Sequence, residues 1–291
     1  MKTIKQLLKA GSIALVIAFS ACDSNEPESR TPSITFTTTN TSMYISLAGR
    51  GKAVIDWGEG NKQTIELIDD YFSNSIRYNH ACGKVITITG DSITYFSCNG
   101  THVTALDVSN SPTLVFLVCG NNQLTTLDVS KNPLLEWLYC SNNQLTTLDI
   151  SHNPKLIYFG CYSNRLTALD LKQNPELQDL TCGNNQLTSL DLSYSFILRT
   201  VFCGNNQLMT LDVSHNHTLW TLDCGENLLD NLALEMLFNT LPNRRGLNAG
   251  RIQIQGNPGS ATHESTYYQT LLDSLETNWN VYKSIVNDEI I

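Results

Sequence analysis

The fold is decided by the stretch Leu114-Val-Phe-Leu-Val-Cys-Gly-Asn-Asn-Gln-Leu-Thr-Thr-Leu-Asp-Val-Ser-Lys-Asn-Pro133, because close copies of it recur every 21 residues. The same interval separates seven cysteines: Cys98, Cys119, Cys140, Cys161, Cys182, Cys203 and Cys224. Counted from the first leucine, positions 1, 4, 6, 11, 14 and 16 are apolar in almost every unit. One unit cannot bury that many apolar side chains alone, whereas stacked units share a continuous core. The sequence therefore predicts a solenoid of seven units over residues 93–239.

Each unit has two halves with different patterns. The first half follows Leu-x-x-Leu-x-Cys-x-x-Asn-x-Leu, and the second follows Leu-Thr-x-Leu-Asp-Val-Ser-x-Asn-Pro. The first pattern resembles the leucine-rich repeat, and most of all the 21-residue, cysteine-laddered repeats of internalin J-like proteins and Bacteroidetes-type surface lipoproteins. The resemblance implies a mainly β solenoid with one short parallel strand per unit. Because the second half is short and ends in proline, we expect turns and not a helix on the convex side.

The cysteines have two alternative interpretations. Nine cysteines in an exported chain usually indicate disulfides. Equivalent residues on adjacent coils, however, lie about 4.8 Å apart, whereas a disulfide needs Cβ atoms about 3.8 Å apart. We therefore predict that the seven repeat cysteines form a ladder of free thiols in the core. Cys82 lies outside this ladder and has no obvious partner.

Residues 32–92 lack the repeat and show alternating, β-branched runs. The predicted strands are Ile34–Thr39, Met43–Leu47, Ala53–Trp57, Thr64–Ile68 and Lys84–Thr89, with turns at Gly49–Gly51 and Gly58–Gly60. They predict a small antiparallel β-sandwich that closes the N-terminal end of the solenoid. The runs Val54-Ile-Asp-Trp-Gly-Glu-Gly60 and Tyr78-Asn-His80 resemble segments of polycystic-kidney-disease (PKD)-type domains, with Glu59 in place of the usual Asp.

The repeat also fails after Glu226, and the rest of the chain mixes helix and strand patterns. We predict helices at Ala233–Leu241 and His263–Asn278, and strands at Arg251–Gln255 and Val281–Val286. The second helix carries an apolar face formed by Tyr267, Leu271, Leu272 and Leu275. An uncapped solenoid would expose its core and a sheet edge, so residues 240–291 are predicted to be a C-terminal α/β cap.

The first residues indicate export. Residues 1–21 have three lysines, a short apolar run from Ile13 to Phe19 and Ser20-Ala21 before Cys22, which resembles a lipoprotein signal peptide. The resemblance implies that Cys22 is lipidated and that the protein is anchored to the outer membrane and exposed at the cell surface; the alternative is an ordinary cleaved signal peptide. Polar residues 22–31 are predicted to be a flexible tether. Loss of residues 1–21 changes the formal charge from -9 to -12, which makes nucleic acid a poor partner.

The concave face is the predicted binding surface, and its aromatic residues concentrate in the first four coils. Its candidate ligand-binding residues are Tyr95, Phe116, Trp137, Tyr139, Tyr158, Tyr162, Asp179, Phe202 and Asp223. Large apolar side chains at solvent-facing positions mark binding sites, and rings on adjacent coils are expected to form one platform. Two structural alternatives are stacking that only stiffens the sheet and contact with the N-terminal domain.

Catalytic and metal-binding patterns are weak. We expect no metal site and no cofactor, because neither the histidines nor the repeated Asp of Leu-Asp-Val-Ser has metal-ligand spacing. Asp179 and Asp223 were considered as a glycosidase pair, but they are expected two coils apart on an open surface. The sequence therefore favours a non-enzymatic adhesion protein that binds a protein or glycan. The alternative is a structural or accessory subunit of an outer-membrane surface complex.

Overall fold

The computed structural model describes residues 31–58, 60–70, 75–79, 83–262 and 265–282. The predicted signal peptide, Cys22 and residues 23–30 of the tether lie outside them, as do Glu59, His80, Cys82 and His263. Within these ranges no helix has both the length and the apolar character needed to cross a bilayer.

The described elements are mainly strands. They are β1 (Ser33–Thr38), β2 (Ser42–Asp56), β3 (Lys62–Glu66), β4 (Ser75–Asn79), β5 (Val85–Ser97), β6 (Val103–Asn110), β7 (Phe116–Val118), β8 (Trp137–Tyr139), β9 (Tyr158–Gly160), β10 (Asp179–Thr181), β11 (Thr200–Phe202), β12 (Thr221–Asp223), β13 (Gly250–Gln253) and β14 (Trp279–Tyr282). The helices are α1 (Asn231–Thr240), α2 (Pro258–Thr262) and α3 (Ser265–Ser274).

The N-terminal strands pair antiparallel, but one predicted turn is wrong. Residues Gly49–Gly51 do not reverse the chain, because β2 is a single strand of 15 residues that passes through them. Its register with β5 shifts on either side of these residues, as in a β-bulge. Gly49 has φ 152°, and a Cβ there would collide with the carbonyl oxygen of Ser92, so the bulge needs glycine. Strands β4 and β6 were not predicted.

The strand pairing does not separate a sandwich from the repeats. Strand β5 pairs antiparallel with β1 and β2, and its end pairs parallel with β7 through Tyr95 and Phe116. It thus runs through the boundary predicted between residues 92 and 93, and the strands form one 14-stranded sheet. The reason is that the first repeat unit takes its concave strand from the end of β5.

The repeats form the predicted β-solenoid. Strands β7 to β12 are three residues long and pair in parallel register, one per coil. Outside these strands, residues 119–220 form bends, turns and irregular loops, as the short Pro-terminated half-unit predicts. In the first unit that half is strand β6, which pairs with β1.

Leucines and cysteines fill the interior of every coil. The seven repeat cysteines are fully buried and free, and burial raises the pKa of each thiol. The Cys140 thiol donates a hydrogen bond to the carbonyl oxygen of Gly160 in the next coil, at 3.4 Å. The cysteines are therefore an unbridged ladder inside one hydrophobic core, which also includes Ile34 near one end and Trp279 near the other.

Two columns of buried asparagines connect the coils. Asn143 accepts a hydrogen bond from the Leu124 amide at 3.0 Å and donates to the carbonyl oxygens of Cys119 and Cys140, both at 3.0 Å. Its equivalents behave alike, which agrees with the expectation that this asparagine satisfies turn backbone. A second column, unpredicted, lies on the convex side; its Asn153 donates to the carbonyl oxygens of Val129 and Asn132 at 2.9 Å each.

The parallel sheet continues beyond the repeats through β13, close to the predicted Arg251–Gln255, and β14. Strand β14 begins two residues before the predicted Val281–Val286, whose residues 283–286 lie outside the described ones. Helix α1 begins after Asp230, whose side chain accepts a hydrogen bond from the Ala233 amide as an N-cap. Within the predicted helix over 263–278 the structure has α3, which ends at Ser274; the short α2 before it was not predicted. Of the predicted apolar face, Leu272 is buried and Leu271 and Leu275 pack against the core, while the Tyr267 side chain is outside the described ones.

Candidate ligand-binding face

Each coil contributes two side chains to the concave face. In β7 the middle residue Leu117 is buried in the core, while Phe116 and Val118 lie on the opposite side and are half-buried. Because the coils pair without a register shift, equivalent residues form straight columns across the sheet. One column contains Tyr95, Phe116, Trp137, Tyr158, Asp179, Thr200 and Thr221.

The first four members of this column form an aromatic stack, defined as Tyr95, Phe116, Trp137 and Tyr158. Successive ring centroids are 6.4 Å, 6.4 Å and 3.9 Å apart. The Trp137 and Tyr158 rings are nearly parallel, at 13°, and those of Phe116 and Trp137 are at 28°. The rings of this column are as close as predicted for adjacent coils, and those of Trp137 and Tyr158 face each other.

The end of the aromatic stack is buried, contrary to the sequence-based expectation. Tyr158 is only 2 % exposed, because Trp137 covers one side of its ring and its hydroxyl lies 3.5 Å from the Thr181 hydroxyl. Burial raises the pKa of Tyr158 to about 12. Gly160 makes this possible, since a Cβ there would come within 2.9 Å of the Tyr158 hydroxyl oxygen. Phe202, another candidate contact residue, is 9 % exposed and also offers little surface.

Two other tyrosines rest against glycines of neighbouring coils. The ring of the half-buried Tyr139 occupies the space that a Cβ on Gly120 would need. Tyr162 is 45 % exposed, and its ring would lie 3.2 Å from a Cβ on Gly183. These glycines shape the face, and the sequence analysis missed them. The available signal was the glycine at position 7 of four units, Gly120, Gly183, Gly204 and Gly225.

The two acidic candidates lie in the later coils. Burial raises the pKa of Asp179 from its ordinary value, against a hydrogen bond from Thr200 and the charge of Arg199. Burial likewise raises the pKa of Asp223 to about 6, although its carboxylate accepts a 3.0 Å hydrogen bond from the Gly225 amide. Strand β11 separates them, and Asp179 aligns with Thr221, two residues before Asp223. The later half of the face is therefore small and polar.

The repeated Asp residues lie elsewhere, on the exposed turns. Asp149 is typical, because its carboxylate accepts a 2.8 Å hydrogen bond from the Ser151 amide two residues later. Hydrogen bonds from Ser151 lower the pKa of this carboxyl group. In the described part of the chain no three His, Cys, Asp or Glu side chains are grouped as metal ligands.

Comparison with known proteins gives the fold. No protein-family model and no curated protein sequence matches the chain. Among solved structures, an internalin of Listeria monocytogenes superposes with a TM-score of 0.51 at 17% identity, over 62% of this chain and 50% of that one. The chain has a leucine-rich repeat fold.

Two further solved structures are similar over a comparable share of the chain. One is a leucine-rich repeat protein of Leptospira interrogans (TM-score 0.49, 24% identity, 60% of this chain and 44% of that one). The other is the functional domain of InlJ from Listeria monocytogenes, which includes a cysteine ladder (TM-score 0.34, 24% identity, 62% and 52%). The chain spans about half the length of these three proteins.

Proposed function

We propose that this protein is a non-catalytic adhesion protein that binds another protein, or a glycan, on its concave face. The observation that carries the proposal is the concentration of large aromatic side chains on solvent-facing positions of four successive coils. A solvated sheet gains nothing from such side chains unless they contact each other or a ligand. The rings of the aromatic stack contact each other, so a ligand would bind the ring surface that these contacts leave exposed.

The accessible rings favour a protein ligand. A sugar stacks on a free ring face, whereas one face of Trp137 is covered by Tyr158 at 3.9 Å and Phe116 is its neighbour on the previous coil, with ring centroids 6.4 Å apart. The stack therefore offers ring edges, which suit packing against apolar protein side chains. Tyr139 and Tyr162 stand beside it and are the best candidates for direct contact.

A glycan is the second candidate, and one observation favours it. Tyr162 lies in the coil before Asp179 and is 45 % exposed, so an aromatic ring, a carboxylate and threonine hydroxyls occur on neighbouring coils. Such a combination would suit a polyhydroxylated ligand.

The test is an array of glycans and extracellular proteins probed with the mature protein and with Tyr162→Ala. Tyr44→Ala is the matched control, because Tyr44 is also an exposed tyrosine, at 55 %, but lies on β2 outside the repeats. We expect Tyr162→Ala to weaken the selected interaction about tenfold or more, as for a central contact residue. Equal binding by wild type and Tyr162→Ala would refute a role for this part of the face.

We also propose that the protein is exported and anchored to the outer membrane through Cys22. The support is the lysine-rich start, the short apolar run and the Ser20-Ala21-Cys22 sequence. Cys22→Ser is expected to leave the protein out of the detergent phase after phase partitioning. Unchanged partitioning of the variant would contradict the lipid anchor.

The two ends of the solenoid are proposed to be caps, formed by residues 32–92 and 240–291. The continuous core supports this, since buried residues of both regions join that of the repeats. The PKD-like character of the N-terminal region is also a proposal. It is supported by Trp57 and Tyr78 of the two resembling segments, whose rings stack at 4.1 Å and 3°.

The alternative function is that of an accessory subunit in an outer-membrane complex. It is favoured by three exposed apolar side chains on the turn before β11, those of Tyr194, Phe196 and Ile197.

A further inference from the structure

One coil departs from the repeat consensus on its convex turn. Where other coils have sequences such as Ser130-Lys-Asn-Pro133, the fifth has Ser193-Tyr-Ser-Phe-Ile197. Tyr194, Phe196 and Ile197 are 41 %, 53 % and 40 % exposed. Three large apolar side chains thus face solvent, and two of them, Tyr194 and Phe196, stand where the other coils place polar residues or proline.

The departure is compensated inside the coil. Ser195 replaces the usual buried asparagine, is itself fully buried, and donates a hydrogen bond to the Asn174 carbonyl oxygen at 3.3 Å. Asn216 of the next coil still donates to the Ser195 carbonyl oxygen at 2.8 Å. The stack is therefore continuous, and packing does not require the exposed side chains outside it.

The apolar surface continues along the flank where the concave strands begin. Ile197 comes just before β11, and Trp220, 36 % exposed, comes just before β12. The Trp220 amide donates to the Arg199 carbonyl oxygen at 2.9 Å, which places the two residues on adjacent coils. The loop after α1 adds Leu247, 62 % exposed, and is held there by a 3.0 Å hydrogen bond from Arg244 to the Leu219 carbonyl oxygen.

Basic residues accompany this surface in an otherwise acidic protein. The chain carries a formal charge of -9, yet Arg199 and Arg244 both lie beside Trp220 and Leu219. Among the described residues, neither arginine is part of an ion pair. The charge of Arg199 acts to lower the pKa of Asp179 on the concave side. One coil earlier, the position equivalent to Ile197 is the acidic Glu176. The basic character is thus local.

We propose that this flank patch, formed by Tyr194, Phe196, Ile197, Trp220 and Leu247 with Arg199 and Arg244, binds a segment of another protein that carries apolar side chains between carboxylates. Tryptophan, tyrosine and arginine are the residues that dominate protein interfaces. The Arg199 guanidinium can pair with a carboxylate in two parallel hydrogen bonds, which fixes the orientation of the partner. Arg244 adds positive charge, since its Nε and Nη1 already donate to the Asn248 and Leu219 carbonyl oxygens. A second copy of this acidic chain is disfavoured by its charge, and an anionic lipid surface by the same repulsion.

The test uses defined peptides and the full mature protein. A set of fluorescent peptides with two apolar residues flanked by Asp or Glu is compared with a matched set in which Lys replaces each acid. We expect the acidic set to bind at least tenfold more tightly, and added salt to weaken that binding. Arg199→Glu is expected to abolish the preference for the acidic set.

A sequence already present in another coil can replace Tyr194 and Phe196 of the flank patch. The triple change Tyr194→Lys, Ser195→Asn and Phe196→Pro restores the sequence that coil two already accommodates, so its folding is expected to be intact. It should weaken peptide binding at least tenfold, while Tyr162→Ala on the concave face leaves it unchanged. Because the two surfaces are separate, failure of one proposal is visible independently of the other.

Three results would overturn the proposal. The first is equal binding of acidic and basic peptides, or equal binding by wild type and the triple variant. The second is sedimentation showing a wild-type dimer that the triple variant dissociates, which would make a second copy the occupant. The third is that protein without its lipid anchor floats with phosphatidylglycerol vesicles, and that this flotation depends on Phe196.

Discussion

Replacing Asp223 by Asn is expected to stabilise the protein at neutral pH and to have no effect on stability in acid. Burial raises the pKa of this carboxyl group to about 6, whereas an aspartate in an unfolded chain has a pKa of about 3.9. The folded state therefore binds the proton more tightly, so stability contributed by the protonated form is complete below pH ~4 and is lost as pH rises through ~6. Above that range the buried carboxylate destabilises the fold.

The magnitude follows from the gap between the two pKa values. Each unit corresponds to about 1.4 kcal/mol, so a gap of about two units sets an upper bound of about 3 kcal/mol. Asp223 is not fully buried, and solvent near it reduces this to about 1 to 2 kcal/mol. Asparagine removes the charge but keeps the oxygen that accepts the 3.0 Å hydrogen bond from the Gly225 amide. The gain therefore comes mainly from removing a desolvated charge, and also from removing its repulsion by Glu226.

The assay is urea unfolding of wild type and Asp223→Asn across pH 4 to 8, with the difference in free energy plotted against pH. Asp149→Asn is the control with opposite sign, because hydrogen bonds from Ser151 lower the pKa of Asp149 and its carboxylate stabilises the fold at neutral pH. That effect is small, since Asp149 is exposed. A difference for Asp223→Asn that is zero or negative at pH 7.5, or that does not change with pH, would refute the placement of a desolvated carboxylate on β12.

Three further substitutions test other parts of the fold. Cys161→Ser is expected to lower the free energy of unfolding by about 1 to 3 kcal/mol, because the hydroxyl would be buried without a good partner. In the native protein the seven ladder thiols should resist labelling, and they should react after denaturation without reductant. Inter-coil disulfides found by mass spectrometry would contradict this. Trp137→Ala should lower the free energy of unfolding by about 1 to 3 kcal/mol, because it removes two ring contacts of about 0.5 to 1.5 kcal/mol each and uncovers Tyr158. An unchanged melting temperature would show that the aromatic stack does not stabilise the fold. Ser163→Asn should stabilise by about 0.5 to 1 kcal/mol, because Ser163 has φ 58° and asparagine tolerates that conformation best after glycine; a loss of stability in thermal unfolding would exclude this explanation.

The repeat period explains why so much of the solenoid was predictable. A fixed 21-residue interval places every equivalent side chain in one column, so the burial of Cys140 and the bonding role of Asn143 follow from counting. The N-terminal region has no such period, and there the sequence was ambiguous. Glycines at 49 and 51 are typical of both turns and bulges, and only the pairing of β2 with β5 decides between them.

The candidate face was only partly predictable, because periodicity gives positions but not ring directions. Tyr158 was expected to project towards a ligand, yet the absence of a side chain at Gly160 leaves room for its ring to lie down towards Thr181. Tyr139 likewise lies over Gly120 of the previous coil. In both cases the exposure of one residue depends on the size of another in a different coil, which a residue-by-residue pattern does not contain.

In a repeat protein the consensus records what stacking requires, so departures from it are informative. Some departures have a partner within the stack: Ser195 stands where asparagine is usual and still bonds the coil before it. Others combine a conformational cost with a contact beyond the repeats, such as Glu226, which has φ 51° where most coils have asparagine and whose carboxylate lies over Gly256. Phe196 belongs to a third kind, because it replaces a proline, is 53 % exposed and leaves the coil intact. A side chain that neither packs nor strains the fold is most simply explained by something outside the chain, which is why the flank patch, and not only the concave face, is proposed as a binding surface.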